Sequence, residues 1–199
     1  MTRNLAPTTL VTPPYRLRRL TFVALGVCLA ALLAAFVTII VHSTFASAVA
    51  PFSPTAEEGL IAEGIAVTVV DDQVPAIGRL DPALLEAMRQ AATDAAADGQ
   101  TFQVTSGWRS TRYQQWLFED AVEQYGSAQV AGEFVATPER SSHVTGNAID
   151  IGPIDAQFWL IEHGARYGIC QTYANERWHF ELATEPGGVC PEMKANAAG

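Results

Sequence analysis

The sequence predicts a single α+β domain preceded by one long apolar segment. Three observations carry that prediction. Short β-branched runs are interspersed with helical patterns rather than repeating as regular βα units. There is no internal repeat and no low-complexity tract. From Leu20 to Val41 the chain runs 22 residues without a charge, unlike anything after it.

Taken in order, residues 1–19 form a basic N-terminus, with Arg16, Arg18 and Arg19 directly before the apolar run. A hydrocarbon core is crossed by about 20 apolar residues, so residues 20–42 are expected to be a transmembrane anchor. The positive-inside tendency then leaves the N-terminus in the cytoplasm and the rest outside it. A competing reading is a cleaved signal peptide, since Ala46-Ser47-Ala48 and Ala48-Val49-Ala50 are small-residue cleavage patterns. Residues 43–56 are small and proline-containing, which suits a linker. Residues 57–192 are expected to be the folded domain, and 193–199 a C-terminal tail.

Within the domain, Ile65 to Val70 is β-branched enough for a strand. Asp81-Pro82 is a helix start, and Leu84, Leu85, Met88, Ala91, Ala92 and Ala95 recur on one face until Gly99. Thr101 to Thr105 alternates as a strand. A helix is expected from about Thr111 to Gln124, burying Tyr113, Trp116, Leu117 and Ala121. Gly126 to Ser142 shows no periodicity, and so long a connection often forms a functional rim. Ala148 to Ile151 is a short strand stopped by Gly152-Pro153. Asp155 caps a helix to about Tyr167 with Phe158, Trp159 and Ile161 buried, and Trp178 to Leu182 is the last strand.

Charge and cysteines limit the functions open to this domain. All 21 acidic residues follow residue 50, against eight basic ones, a net charge of −13. Nucleic acid binds through basic patches, so it is not an expected partner. Cys28 lies in the apolar run, where it need only be a small hydrophobe. Cys170 and Cys190 remain as an even pair beyond the apolar run, and a disulfide between them is expected in an oxidising compartment.

The chemistry-bearing residues cluster in two segments, Ser141-Ser142-His143-Val144-Thr145-Gly146-Asn147-Ala148-Ile149-Asp150 and Glu176-Arg177-Trp178-His179. A hydrolytic zinc ion takes three N or O ligands and leaves a position open for water; His143, Asp150 and His179 supply them. An aspartate inside the strand AIDI is a buried charge that needs a partner. Glu176 is left as the carboxylate that moves protons. On a straight strand Glu176 and His179 face opposite ways, so a bend near Arg177 is required. His179 alternates with Trp178 and Phe180, which are expected in the core, and Glu181 shares the face of His179 as its partner or a rival base.

These segments resemble the zinc D-alanyl-D-alanine peptidases of bacterial cell walls, the VanY and VanX type, whose fold is shared with the Hedgehog signalling domain. The first fits the pattern S-x-H-x-x-G-x-A-x-D at every fixed position, and the second fits E-x-W-H, with Arg177 where proline is common. Ser106-Gly107-Trp108-Arg109-Ser110 with Gln114 fits a third element, with Trp108 where tyrosine is usual. The resemblance spans about Thr101 to Leu182. It implies a Hedgehog/DD-peptidase-like fold with a small central antiparallel sheet flanked by helices. It also implies one Zn²⁺ held by His143, Asp150 and His179, with Glu176 as general base. Arg109 is implied to stabilise the oxyanion, although by its chemistry it could instead grip a terminal carboxylate. Ser141 and Gln114 are candidate substrate-binding residues, with a loop role and a bracing role as their respective alternatives.

The expected function is therefore a zinc-dependent D-alanyl-D-alanine carboxypeptidase, membrane-anchored with its domain outside the cytoplasm. It would trim the terminal D-alanine of peptidoglycan stem peptides ending in D-Ala-D-Ala. An endopeptidase or D,D-dipeptidase would use the same zinc set. A wall-binding module without turnover would need the ligands but neither Glu176 nor Arg109.

Overall fold

Residues 15–48 and 52–199 are described by a computed structural model, and the chain separates into two units at Pro51. In the first, α1 (Tyr15–Ala48) is a 34-residue helix. The transmembrane anchor expected over 20–42 is not supported. A span needs about 20 consecutive apolar residues, and among the described residues no helix is long and apolar enough to cross a membrane. Most of the basic N-terminus, and residues 49–51 of the linker, lie outside the described residues.

The second unit runs from Phe52 to Gly199 and so takes in the end of the expected linker and the expected tail. Its longest helix, α3 (Pro82–Ala97), begins where Asp81 accepts hydrogen bonds from the backbone N–H of Ala83 and Leu84, with proline at the first helical position. It buries Leu84, Met88, Ala91 and Ala95 at helical spacing. A one-turn helix, α2 (Pro75–Gly78), precedes it. Ile77, Leu80, Phe102, Val104, Ile149, Ile151, Leu160, Ile169 and Phe180 complete the core.

The sheet holds four antiparallel strands in the order β1 (Gln103–Ser106), β2 (Ala148–Gly152), β4 (His179–Leu182), β3 (Ile169–Gln171). All five residues of β2 are buried, as suits a strand paired on both edges and covered on both faces. A bulge between Val104 and Ser106 sets Ser106 opposite Asp150, while Asp150 pairs with His179 on the other side. The register thus brings all three sequence motifs to one end of the sheet.

Helix α4 (Thr111–Tyr125) is capped by Ser110 and ends at Gly126; α5 (Ala128–Ala131) interrupts the stretch read as irregular; α6 (Ile154–His163) is followed by a 3₁₀ turn to Tyr167. Asp155 lies in the first turn of α6 rather than capping it.

Several expectations are corrected. Ile65 to Val70 is not a strand: it meets the sheet through one backbone bond, Val104 N–H to Val67 O at 2.7 Å. Phe158 and Ile161 are exposed, because α6 turns Ala156, Trp159 and Leu160 to the core and leaves Ile154, Phe158 and Ile161 on another face. Trp178 is also exposed, at 44%, because it sits in a turn before β4 where strand alternation does not apply.

Candidate metal centre and substrate cleft

Two glycines let the backbone pack tightly enough to build this site. Gly146, at φ +77°, lies where a β-carbon would stand 2.6 Å from the carbonyl oxygen of Arg79, so the turn from His143 to β2 fits only glycine. Gly107 lies against the Ala76 carbonyl with no room for a side chain. Its own carbonyl is thereby fixed beneath His143, and Arg109 N–H bonds the His143 carbonyl at 3.1 Å.

His143, Asp150 and His179 are all buried, and their potential ligand atoms converge. Nε2 of His143 is 3.2 Å from Nδ1 of His179, and the two nitrogens are 3.4 Å and 3.3 Å from Oδ1 of Asp150. A tetrahedral ion with ligand bonds of about 2.0–2.1 Å separates its donors by about 3.3 Å. The three distances are the edges of one face of such a tetrahedron.

The remaining ring nitrogens are already engaged. Nδ1–H of His143 donates to Gly107 O at 2.7 Å, and Nε2–H of His179 donates to Oε1 of Glu181 at 2.8 Å. These bonds leave the inward nitrogens as lone-pair donors. Oδ1 of Asp150 is buried without a hydrogen-bond partner, which is costly unless a cation satisfies it. Two nitrogens and a carboxylate oxygen in this arrangement fit one zinc ion.

The charges of these residues are coupled. Burial opposes charge on Asp150, yet His143, His179 and Arg109 hold its carboxyl far below the usual carboxylate range. Burial pushes the His143 imidazole down, and Arg109 adds to the effect. Burial also opposes charge on His179, but the neighbouring carboxylates of Asp150 and Glu181 prevail and push it up to about 9.

Glu176 reaches the site through the expected bend. His179 N–H bonds the Glu176 carbonyl at 3.2 Å, a turn that sets Oε2 of Glu176 3.7 Å from Nδ1 of His179. Burial pushes its carboxyl up from the ordinary carboxylate value. Glu181 is held below its ordinary value despite burial by its bond to His179. It is the hydrogen-bond partner of His179 and, unlike Glu176, is not among the residues lining the cleft.

Arg109 follows the bulge of β1. Its Nε–H donates to Ser106 Oγ at 2.8 Å, Nη1 to Gln114 Oε1 at 3.0 Å, and Nη2 to Oδ2 of Asp150 at 3.1 Å. A guanidinium has five N–H donors, so two remain beyond these bonds, and Arg109 lines the cleft. Gln114 is 1% exposed and donates its amide to Ala136 O at 2.8 Å. Both polar ends of Gln114 are thus used within the protein, which braces Arg109. Ser141 is buried on the cleft wall.

The cleft has a volume of about 190 Å³. Its walls include Tyr173 and three residues that the sequence reading did not assign, Phe134, Trp178 and Ala197. Tyr173 is buried with its ring 4.9 Å from that of His179. A single aromatic two positions after a motif glutamate carries no periodic signal, and Ala197 lies on a segment read as a tail. Cys170 and Cys190 form the expected disulfide.

Comparison with known proteins gives the following similarities. The family described as VanY: D-alanyl-D-alanine carboxypeptidase matches residues 78–186. A D-alanyl-D-alanine carboxypeptidase of Enterococcus faecalis (strain ATCC 700802 / V583) is 32% identical over 134 residues, which is 51% of this chain and 50% of the relative. The chain therefore spans about half the length of that curated relative. Among solved structures, a vancomycin resistance D,D-pentapeptidase VanY variant in complex with Zn(II) is 27% identical, covering 51% of this chain and 71% of that one at a TM-score of 0.48. The vancomycin resistance D,D-dipeptidase VanXYg, in complex with a D-Ala-D-Ala phosphinate analogue, shares the fold at a TM-score of 0.50 and 20% identity, covering 66% and 64% of the two chains.

Proposed function

Because the chain belongs to the VanY D-alanyl-D-alanine carboxypeptidase family, we propose that it is a zinc-dependent carboxypeptidase removing the terminal D-alanine from stem peptides that end in D-Ala-D-Ala. One observation carries this reading: three buried donors at tetrahedral-edge spacing, with the carboxylate of Glu176 beside them.

His143, Asp150 and His179 would hold the ion, which when bound supplies a Lewis acid and lowers the pKa of a water toward about 7. Glu176 takes the proton of the attacking water as its oxygen bonds to the scissile carbonyl carbon. Arg109, held by Ser106, Gln114 and Asp150, presents its remaining N–H groups to the developing oxyanion. As the C–N bond breaks, Glu176 returns the proton to the departing amine of D-alanine. Ser141, which lines the cleft, is assigned to substrate binding in this reading.

The domain is proposed to act outside the cytoplasm. The Cys170–Cys190 disulfide supports this, since such bonds persist in oxidising compartments. Product masses from a stem pentapeptide, free D-Ala-D-Ala dipeptide and intact wall test the specificity. Release of single D-alanine from the pentapeptide is expected, whereas cleavage confined to the dipeptide or to internal bonds of the wall would replace the carboxypeptidase by one of its two enzymatic alternatives.

A further inference from the structure

Beyond residue 186, where the family match ends, the chain does not leave the domain. Cys190 is tied to Cys170 on β3. Four residues later Lys194 pairs with Tyr173 in a parallel bridge. Its N–H donates to Thr172 O at 3.0 Å and its carbonyl accepts from Ala174 N–H at 2.8 Å, so one residue of the segment brackets Tyr173 on both sides. Ala197 is 6% exposed and lines the catalytic cleft. Arg140, from the loop before Ser141, donates to the carbonyl of Ala198.

The bracketed loop is the one that carries the base. Tyr173 O accepts the N–H of Glu176 at 3.3 Å, and Glu176 O accepts that of His179 at 3.2 Å. Glu176 lies between strands, outside any ladder. Its loop is held on one side by the turn into β4 and on the other by Lys194.

We propose that residues 191–197 form a wall of the substrate cleft and position the loop bearing Glu176, making this segment a specificity and positioning element of the enzyme. The proposal rests on the carboxypeptidase reading of the same cleft. The side chain that faces substrate is the methyl of Ala197. The part that positions the loop is the main chain of Lys194.

Two variants of the full-length, zinc-loaded chain test it, with stem pentapeptide as substrate. Ala197→Phe fills the cleft wall and should raise KM about tenfold, a change of about 1.4 kcal/mol, with kcat and zinc content preserved. Deletion of 193–199 frees the loop and should lower kcat by about 10²-fold, the scale of a small misplacement of a reacting group. It should retain one zinc per chain. Hydrogen exchange gives a readout independent of turnover: the deletion should speed exchange in the 172–176 peptide and leave 143–150 protected. A merely structural segment would instead lower the folded fraction and leave the KM of the remaining enzyme unchanged. Unaltered KM in Ala197→Phe would overturn the wall, and protected 172–176 amides in the deletion would overturn the positioning role. Failure of the wild-type chain to release D-alanine would sink the carboxypeptidase reading instead, and the exchange result would still judge the positioning role.

Discussion

At Glu181 the strand period and the site chemistry coincide. The carboxylate shares a face with His179 and holds its Nε2–H at 2.8 Å, fixing the tautomer that turns Nδ1 inward. Partners of this kind govern metal affinity more than chemistry. Glu181→Gln should therefore weaken zinc binding by about 10–100-fold, measured by competition with a chelator. Glu176→Gln should do the reverse, losing about 10²–10⁴-fold in kcat with zinc content and affinity kept. A Glu176→Gln protein with substantial peptidase activity would remove Glu176 as the base. That His143, Asp150, His179 and Glu176 come together was legible in the sequence, because the chemistry restricts residue type and spacing together. Trp178 was misread, since alternation was extended one residue beyond the strand. Gln114 was read with a bracing alternative, and the structure places both its amide ends within the protein.

Among the elements, β2 is the one that anchors the site. It is buried along its whole length and paired on both edges, with Asp150 between Ser106 and His179. The helices α3 and α4 were legible from capping residues and apolar spacing, which are local signals. β3 was not: three residues give too short a pattern, and its place is set by pairing with β4. The β-branched run at 65–70 had local propensity for a strand but lacks a ladder partner, so tertiary pairing overrode it. Segment 191–197 was also illegible, because it is held by main-chain bonds and one ammonium over the Tyr173 ring, and reaches the cleft with one alanine. The disulfide that begins it closes a loop of 20 residues. Replacing both cysteines by serine should cost about 3 kcal/mol by the chain-entropy estimate, read as a lower denaturant midpoint, and should also raise exchange in the 172–176 peptide. Unchanged stability would show that the loop stays ordered without the bond.

For the whole molecule, metal, protons and stability are linked. In the metal-free protein His179 is raised from 6.5 to about 9. Its proton is thus bound more tightly in the folded state, and the stabilisation is fully present below about pH 6.5 and lost as pH rises through about 9. Asp150, held low, contributes above its unfolded pKa and loses that contribution as pH falls through its folded value. The chelated protein should therefore melt at progressively lower temperature between about pH 6.5 and 9.5. Zinc binding near pH 7.5 should release about one proton per chain, seen by calorimetry in buffers of different ionisation enthalpy. Zinc binding without proton release would show that His179 is already neutral. The acidic surface of the domain, net −13 after residue 50, was legible from composition and still argues against a nucleic-acid partner.

The most direct test of the central claim is release of D-alanine from a stem pentapeptide ending in D-Ala-D-Ala, by the full chain with and without chelator, with metal content determined on the same sample. The account predicts release that follows bound zinc at one ion per chain, disappears on chelation and returns when zinc is restored. A folded protein that carries zinc and leaves the pentapeptide intact would contradict it.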